Sequence, residues 1–139
     1  MSRRQLKSLA TLDRIEQMTL DDLRQEITVI QKQQDLLKAQ LHALKEKKQY
    51  ELLIRENPHL SLWRVPYFNE VERNEKELKK YIELLEKKIG ALLDDLSESF
   101  YRKKRLEITT KKIVDREKEQ EDQKEQALQD ELALTLFQR

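Results

Sequence analysis

Cysteine, histidine and glycine, residue types used in covalent, metal and phosphate chemistry, are absent or scarce in this chain of 139 residues. There is no cysteine, which removes thiol nucleophiles, thiolate metal sites and disulfides. The histidines are His42 and His59, and neither has the spacing of a metal or catalytic motif such as His-Glu-x-x-His. The single glycine, Gly90, cannot supply a glycine-rich loop for phosphates.

Carboxylates are abundant, but they alternate with lysine and arginine, as they do on the exposed faces of coiled coils. General acid–base catalysis needs titratable groups in a pocket that excludes water, and a pair of long helices offers no such pocket. We therefore expect a protein that is not an enzyme and that has no cofactor, no metal and no small-molecule substrate.

Charge is segregated along the chain, although the formal net charge is only +1. Residues 102–112 carry six basic side chains against one acidic, whereas residues 115–131 carry eight acidic against three basic. Residues 115–126 contain no apolar side chain, so they cannot form a core. The basic cluster could contact nucleic acid, above all through residues 102–105. Because it has little aromatic content beyond Phe100 and Tyr101, a solvated face or a docking patch for an acidic protein is the favoured interpretation.

The composition indicates which elements position these side chains. Charged residues make up 40% and hydrophobic residues 37%, with one glycine and two prolines. Globular domains average about 25% charged and about 45–50% apolar residues, and they use glycine and proline in their many turns. Long helices and coiled coils have the composition seen here. No apolar run approaches the roughly 20 residues of a membrane span, and the first residues lack the apolar stretch of a secretory signal.

The first half of the chain contains a heptad pattern. Its apolar seam alternates steps of four and three residues, with one polar member: Leu23, Ile27, Ile30, Gln34, Leu37, Leu41 and Leu44. Upstream, apolar residues recur every three positions from Leu6 to Met18, so the phase of the pattern drifts. Residues 19–22 resemble a capping box that would start a helix. The alternative is a stutter within one continuous helix.

The second half repeats the pattern. Its seam consists of Leu78, Ile82, Leu85, Ile89, Leu92 and Leu96. Val71 and Glu75 occupy the two seam positions before it. Gly90 adjoins the seam, which indicates either a close approach of two helices or a tolerated glycine.

Between the two patterns lie both prolines, Pro58 and Pro66. The sequence therefore predicts an all-α fold, a single antiparallel coiled-coil hairpin over residues 1–139. We expect a first helix over about 3–54, a connector over about 56–66 and a longer second helix over about 67–136. A two-chain coiled coil with a straightened connector is the alternative, so the choice between monomer and dimer stays open.

Two places break the polar character of the chain. Aromatic and apolar residues concentrate at the connector: Tyr50, Leu60, Leu62, Trp63, Tyr67 and Phe68. They would either plug the tip of the hairpin or contact a partner. The C-terminus regains leucine after the charged stretch, at Leu128, Leu132, Leu134, Leu136 and Phe137. On a projecting helix such residues would mark a binding site.

Three stretches resemble the FliJ/YscO family, the small stalk proteins of bacterial type III export machines. They are Trp-Arg-Val-Pro-Tyr-Phe at 63–68, residues 96–107, and residues 126–134, which are similar to the family's terminal Leu-Asp-Glu-[Ile/Leu]-[Ala/Gly] signature through residues 130–133. The chain departs from that signature at Gln129, where leucine is common, and at Leu136, where a basic residue is common.

The resemblance implies a stalk whose open end, made by both termini, inserts into a hexameric export ATPase. The other end would contact the cytoplasmic domain of the export gate, and substrate-chaperones are further possible partners. On the ATPase side the resemblance implies Arg3, Arg4, Leu132, Leu134 and Phe137 as contacts. On the gate side it implies Tyr50, Trp63, Tyr67 and Phe68.

The resemblance also implies a cytoplasmic protein that meets the membrane only indirectly, at the periphery of the inner-membrane export apparatus. Flagellum and injectisome are not distinguished by these residues. Two other hypotheses stay open. The chain is a coiled-coil scaffold or chaperone that dimerises, or, with less support, a nucleic-acid-binding helical arm.

Overall fold

In the computed structural model the chain is described over residues 2–54 and 64–138, with side chains over 2–53 and 68–138. It forms two helices, α1 over Ser2–Ile54 (53 residues) and α2 over Arg64–Phe137 (74 residues). No strand occurs within those ranges. The helices pack against each other, which confirms the all-α, two-helix fold with the longer helix second.

The start of α2 lies upstream of the expected position. The helix begins at Arg64 rather than at about 67, so Pro66 lies within its first turn. The N–H groups of a first turn have no acceptor within the helix, so a proline there removes no hydrogen bond. The last part of the expected connector is therefore helical, and its residues 56–63 lie outside the described part of the chain.

Helix α1 is continuous through residues 19–22, where the sequence left two alternatives open. Thr19 Oγ1 donates a hydrogen bond to the carbonyl oxygen of Ile15, 3.0 Å away and four residues earlier. A side chain bonded back along its own helix does not cap a helix start. The stutter in a continuous helix is therefore the correct alternative, and the capping-box start is wrong.

The chain divides into two compact units, the first of which is residues 21–97. Its core is a cluster of Ile27, Ile30, Ile89 and Leu92, with Leu23, Leu85 and Leu96 packed against it. The remaining predicted seam residues, Leu37, Leu41, Leu44, Leu78 and Ile82, are half-buried. The seams on the two helices therefore cover each other, as heptad patterns do in coiled coils.

Polar contacts in this unit show that the helices are antiparallel. Gln34 Nε2 lies 3.5 Å from the carbonyl oxygen of Ile82, and it also donates a hydrogen bond to the Glu86 carboxylate. Further along α1, Lys48 Nζ lies 3.3 Å from Glu75 Oε2. As residue numbers rise along α1 from 34 to 48, those of the contacted residues on α2 fall from 82 and 86 to 75, as they do in an antiparallel pair. Gln34 is therefore a buried polar position within the seam, bonded across the interface.

Gly90 does not mark a close helix approach. The residue is exposed, and a Cβ atom built on it would have no neighbour within 4 Å. The glycine is therefore one that the helix tolerates, and the interpretation as a close approach is wrong.

The second unit comprises residues 1–20 and 98–139. Leu20 and Ser99 are buried, and Leu6, Leu9, Leu106, Thr110 and Ile113 are half-buried. Glu117 is the last half-buried residue of α2, and every described residue from 118 to 138 is exposed.

Candidate functional site

The most prominent candidate surface is the uncovered end of α2, residues 118–137, which we call the terminal segment. Its large apolar side chains are all exposed, up to Phe137 at 90%. They lie on more than one face of the helix. Leu128, Leu132 and Leu136 are spaced four residues apart and form one stripe. Phe137 follows Leu128 by nine residues, about two and a half turns, and so lies on the opposite side.

The terminal segment contains three of the five residues that the resemblance assigns to an ATPase: Leu132, Leu134 and Phe137. The other two, Arg3 and Arg4, lie on the first turn of α1 and are exposed. Arg4 borders a groove of about 380 Å³ that also contains Leu9 and Ile113. Leu9 therefore faces residues of α2 that precede the terminal segment.

The four residues assigned to an export gate separate into different environments. Tyr50 is exposed, whereas Phe68 is half-buried with Lys48 Nζ 5.4 Å from its ring centroid. Trp63 lies outside the described residues, as does the side chain of Tyr67, whose backbone is helical.

Lys48 is the centre of an ion cluster beside Phe68. Its Nζ atom lies 3.3 Å from Glu75 Oε2 and 3.5 Å from Glu72 Oε1, while Lys79 Nζ lies 3.2 Å from Glu75 Oε1. Burial alone would raise the pKa of Glu75, but Lys79 and Lys48 hold that pKa below its ordinary value. Burial would lower the pKa of Lys48, but Glu75 and Glu72 raise it above its ordinary value. Glu75 and Lys48 are therefore both charged near neutral pH.

A second exposed apolar surface on α1 was missed by the sequence reasoning. Val29, Leu36, Ala43 and Tyr50 are all exposed and follow one another at intervals of seven residues. The first three lie two positions after the seam residues Ile27, Gln34 and Leu41, and the regular spacing of all four is a signal that could have found them.

Of the stripe Val29–Leu36–Ala43–Tyr50, Ala43 lines a groove of about 440 Å³ between the two helices. Its lining consists of Gln40, Ala43, Leu44, Lys47, Asn74, Glu77, Leu78 and Tyr81. Because Leu44 and Leu78 belong to the seam, the groove continues the buried interface outward to the surface. An additional helix laid in this groove would extend the apolar core.

In the second unit, Glu16, Ser99 and Arg102 form a polar cluster between α1 and α2. Ser99 is fully buried, and its Oγ atom donates a hydrogen bond of 2.6 Å to Glu16 Oε2. Arg102 Nε donates one of 2.7 Å to Glu16 Oε1. The Ser99 hydrogen bond lowers the pKa of Glu16 below its ordinary value, aided by Arg102 and opposed by partial burial. Next to this cluster, Lys103 donates a hydrogen bond to Gln17.

The remaining candidates for bond chemistry from the sequence are the two histidines. His42 is exposed, with its Nε2 atom 3.1 Å from Glu46 Oε1, and His59 lies outside the described residues. Within the described ranges, no group of three or more His, Asp or Glu side chains is placed to hold a metal ion. Over the same residues, neither helix contains a stretch long and apolar enough to cross a membrane.

Three surfaces are the candidate binding sites: an uncovered helix end, a heptad-spaced apolar stripe on α1, and a cluster of basic side chains on α2. Each of them can bind another macromolecule through shape, apolar contact and charge. No protein-family model matches the chain, and neither a curated protein nor a solved structure is significantly similar to it.

Proposed function

We propose that this chain is a non-enzymatic central stalk of a bacterial type III protein export apparatus. In this role it inserts into a hexameric export ATPase and couples that ATPase to the export gate, from the cytoplasmic side of the inner membrane. The identity of the partners comes from the resemblance of residues 63–68, 96–107 and 126–134 to the FliJ/YscO family. The observation that supports a stalk is the terminal segment.

A helix that docks on a flat surface needs an apolar stripe on one side only. The terminal segment is apolar on opposite sides, because Leu128 and Phe137 lie about half a turn apart around the helix axis. Such a helix buries its apolar residues only when it is surrounded. A ring of subunits with a central pore surrounds a helix in this way.

The charged stretch of α2 at residues 115–126, which includes the start of the terminal segment, suits movement within a ring. Residues 115–126 carry no apolar side chain, and those from 118 onward are exposed on every side. A charged helix has little apolar surface with which to adhere to a pore wall. The chain would then transmit conformational or rotational changes driven by nucleotide hydrolysis without binding nucleotide itself.

The test is the effect of the full chain on a type III export ATPase. We expect the chain to promote assembly of the hexamer in sedimentation velocity and to stimulate phosphate release. A chain truncated after Gln126 should lose both effects. Equal stimulation by the truncated chain would refute the assignment of the terminal segment.

Paired substitutions test whether the terminal segment is surrounded. We expect Leu128→Ser with Leu132→Ser to reduce stimulation, and Leu134→Ser with Phe137→Ser to reduce it as well, because a ring contacts every side. A matched control, Gln129→Ser, should leave stimulation unchanged. If only one of the two double variants lost stimulation of the ATPase, the terminal segment would dock on a single flat surface instead.

The gate side is proposed to lie in the opposite part of the chain, at Tyr50, Trp63, Tyr67 and Phe68. Among the described side chains of this set, Tyr50 is the exposed one and Phe68 is engaged with Lys48. Tyr50→Ser should therefore weaken capture of the cytoplasmic domain of the gate more than Phe68→Leu does. Binding of substrate-chaperones belongs to the same proposal and uses the same pull-down format.

A coiled-coil scaffold that self-associates is the second candidate function. The observation that favours it is the exposed stripe Val29–Leu36–Ala43–Tyr50, since a second copy could lay a helix against it. Sedimentation equilibrium distinguishes the two functions. A tight dimer at micromolar concentration that dissociates on Leu36→Ser would support the scaffold, whereas a monomer supports the stalk.

A further inference from the structure

The basic cluster at residues 102–112 is divided by the structure into two groups. Arg102 and Lys103 are engaged by α1, through Glu16 and Gln17. The other four cations are exposed, and within the described residues none of them forms an ion pair: Lys104, Arg105, Lys111 and Lys112. Four positive charges of this cluster are therefore available to a partner.

Two apolar side chains lie between these cations. Tyr101 and Ile108 are seven residues apart, so they share one face of α2, and they are 62% and 51% exposed. The cations flank that face on both sides, with Lys104 and Lys111 along one edge and Arg105 and Lys112 along the other. We call this surface the basic face; it consists of Tyr101, Lys104, Arg105, Ile108, Lys111 and Lys112.

The basic face also has a concave part. A groove of about 650 Å³ on α2 is lined by Glu98, Tyr101, Arg102, Lys104, Arg105 and Ile108. Lys104 Nζ lies 5.7 Å from the ring centroid of Phe100, which contacts Tyr101 edge to face. An apolar floor with cations along its edges is the pattern that one helix of a coiled coil presents to an acidic partner helix.

We propose that the basic face binds an acidic amphipathic helix of another protein. The apolar residues of that helix, seven apart, would pack on Tyr101 and Ile108, while its flanking carboxylates would pair with the cations at the two edges. This interaction goes beyond the proposed stalk function and uses no residue of the terminal segment. Because the apolar floor consists of only two residues, one heptad apart, the interaction is weak and sensitive to salt.

The chemistry of the face favours this partner over two others. Binding of phosphates requires cations but gains nothing from an isoleucine in the centre of the surface. A second copy of this chain could offer its own acidic stretch, but residues 115–126 contain no apolar side chain to fill the floor. A helix that carries both carboxylates and apolar residues can pair with the cations and also pack on Tyr101 and Ile108.

The test uses three fluorescent probes with the full chain. One is a peptide of three heptads with leucine at a and d and glutamate at e and g, and the second has the same composition in an order that breaks the heptad. The third is a 20-base-pair DNA duplex. We expect the patterned peptide to bind roughly tenfold more tightly than the scrambled one in fluorescence anisotropy. Equal binding of the two peptides, binding of neither, or tighter binding of the duplex would overturn the proposal.

Two double substitutions separate charge from apolar contact. Tyr101→Ser with Ile108→Ser should bring the two peptides to equal affinity while leaving the salt dependence in place. Lys104→Gln with Lys111→Gln should weaken binding and reduce that salt dependence. Lys118→Gln with Lys124→Gln removes two exposed cations elsewhere on α2 and should change neither property. If the control pair weakens binding as much as Lys104→Gln with Lys111→Gln, general charge attraction would explain the result and the proposal would fail.

Discussion

Removing the hydroxyl of Ser99 should destabilise the helix pair, because that hydroxyl is the buried donor to a carboxylate. Ser99 is fully buried and its hydrogen bond to Glu16 is 2.6 Å long. Hydrogen bonds to charged groups contribute about 1.5–3 kcal/mol. The Glu16 side chain keeps 16% exposure and can regain water, so we take the lower part of this range, about 1.5–2 kcal/mol.

The helix propensity of alanine offsets part of that loss. Alanine is favoured over serine in a helix by about 0.5 kcal/mol, so Ser99→Ala should lower the free energy of unfolding by about 1–1.5 kcal/mol. The matched control is Ser97→Ala, an exposed serine two residues earlier, which should gain about 0.5 kcal/mol. Arg102→Gln should cost less than Ser99→Ala, at about 0.5 kcal/mol, because the Arg102 side chain is 48% exposed and such pairs contribute little.

The effect of Ser99→Ala should also depend on pH. The folded-state pKa of Glu16 lies below its ordinary value of 4.5. A lowered carboxyl pKa contributes stability above the unfolded pKa, and that stability is lost as the pH falls through the folded pKa. The difference between wild type and variant should therefore shrink on acidification below about pH 4.

The assay is urea unfolding followed by circular dichroism at 222 nm, at pH 7 and pH 3. Any one of three results would refute the reasoning. The first is an equal free energy of unfolding for Ser99→Ala and Ser97→Ala, and the second is a larger loss for Arg102→Gln than for Ser99→Ala. The third is a loss for Ser99→Ala that is as large at pH 3 as at pH 7.

Three further substitutions have expected outcomes in the same assay. Gln34→Leu should stabilise the protein by about 1 kcal/mol, because it makes the seam apolar, while Glu86 is exposed and the contact that Ile82 O loses is a long one of 3.5 Å; a lower urea midpoint would contradict this. Gly90→Ala should also stabilise it, by about 1 kcal/mol, since no atom lies within 4 Å of the new Cβ, and a loss of stability would show a contact that we have not identified. Glu75→Gln should reduce the fall in melting temperature between pH 6 and pH 3, because the lowered pKa of Glu75 makes wild type lose this contribution in acid; an equal fall in both proteins would refute that assignment.

The fold was predictable because a heptad pattern is a local property of the sequence. The steps of four and three from Leu23 to Leu44 and from Leu78 to Leu96 already specify which face of each helix is buried. The start of α2 was not predictable to the residue, because a proline is compatible both with the first turn of a helix and with the loop before it.

The contacts between the helices depend on register, which a single helical pattern does not specify. Nothing local in the sequence pairs Glu16 with Ser99 and Arg102, since those residues lie more than eighty positions apart. Likewise, the division of the basic cluster into engaged and free cations follows from which residues α1 reaches. The exposed end of α2 was predictable, however, because residues 115–126 offer no apolar surface for α1 to cover.

The most direct test of the stalk proposal is photo-crosslinking from opposite sides of the terminal segment. A photoreactive phenylalanine analogue is placed at Leu128 in one chain and at Phe137 in another, and each chain is mixed with the export ATPase and illuminated. A helix enclosed by a ring should crosslink to the ATPase from both positions with similar yield. Crosslinks from one position alone, or crosslinks only between copies of this chain, would contradict the proposal.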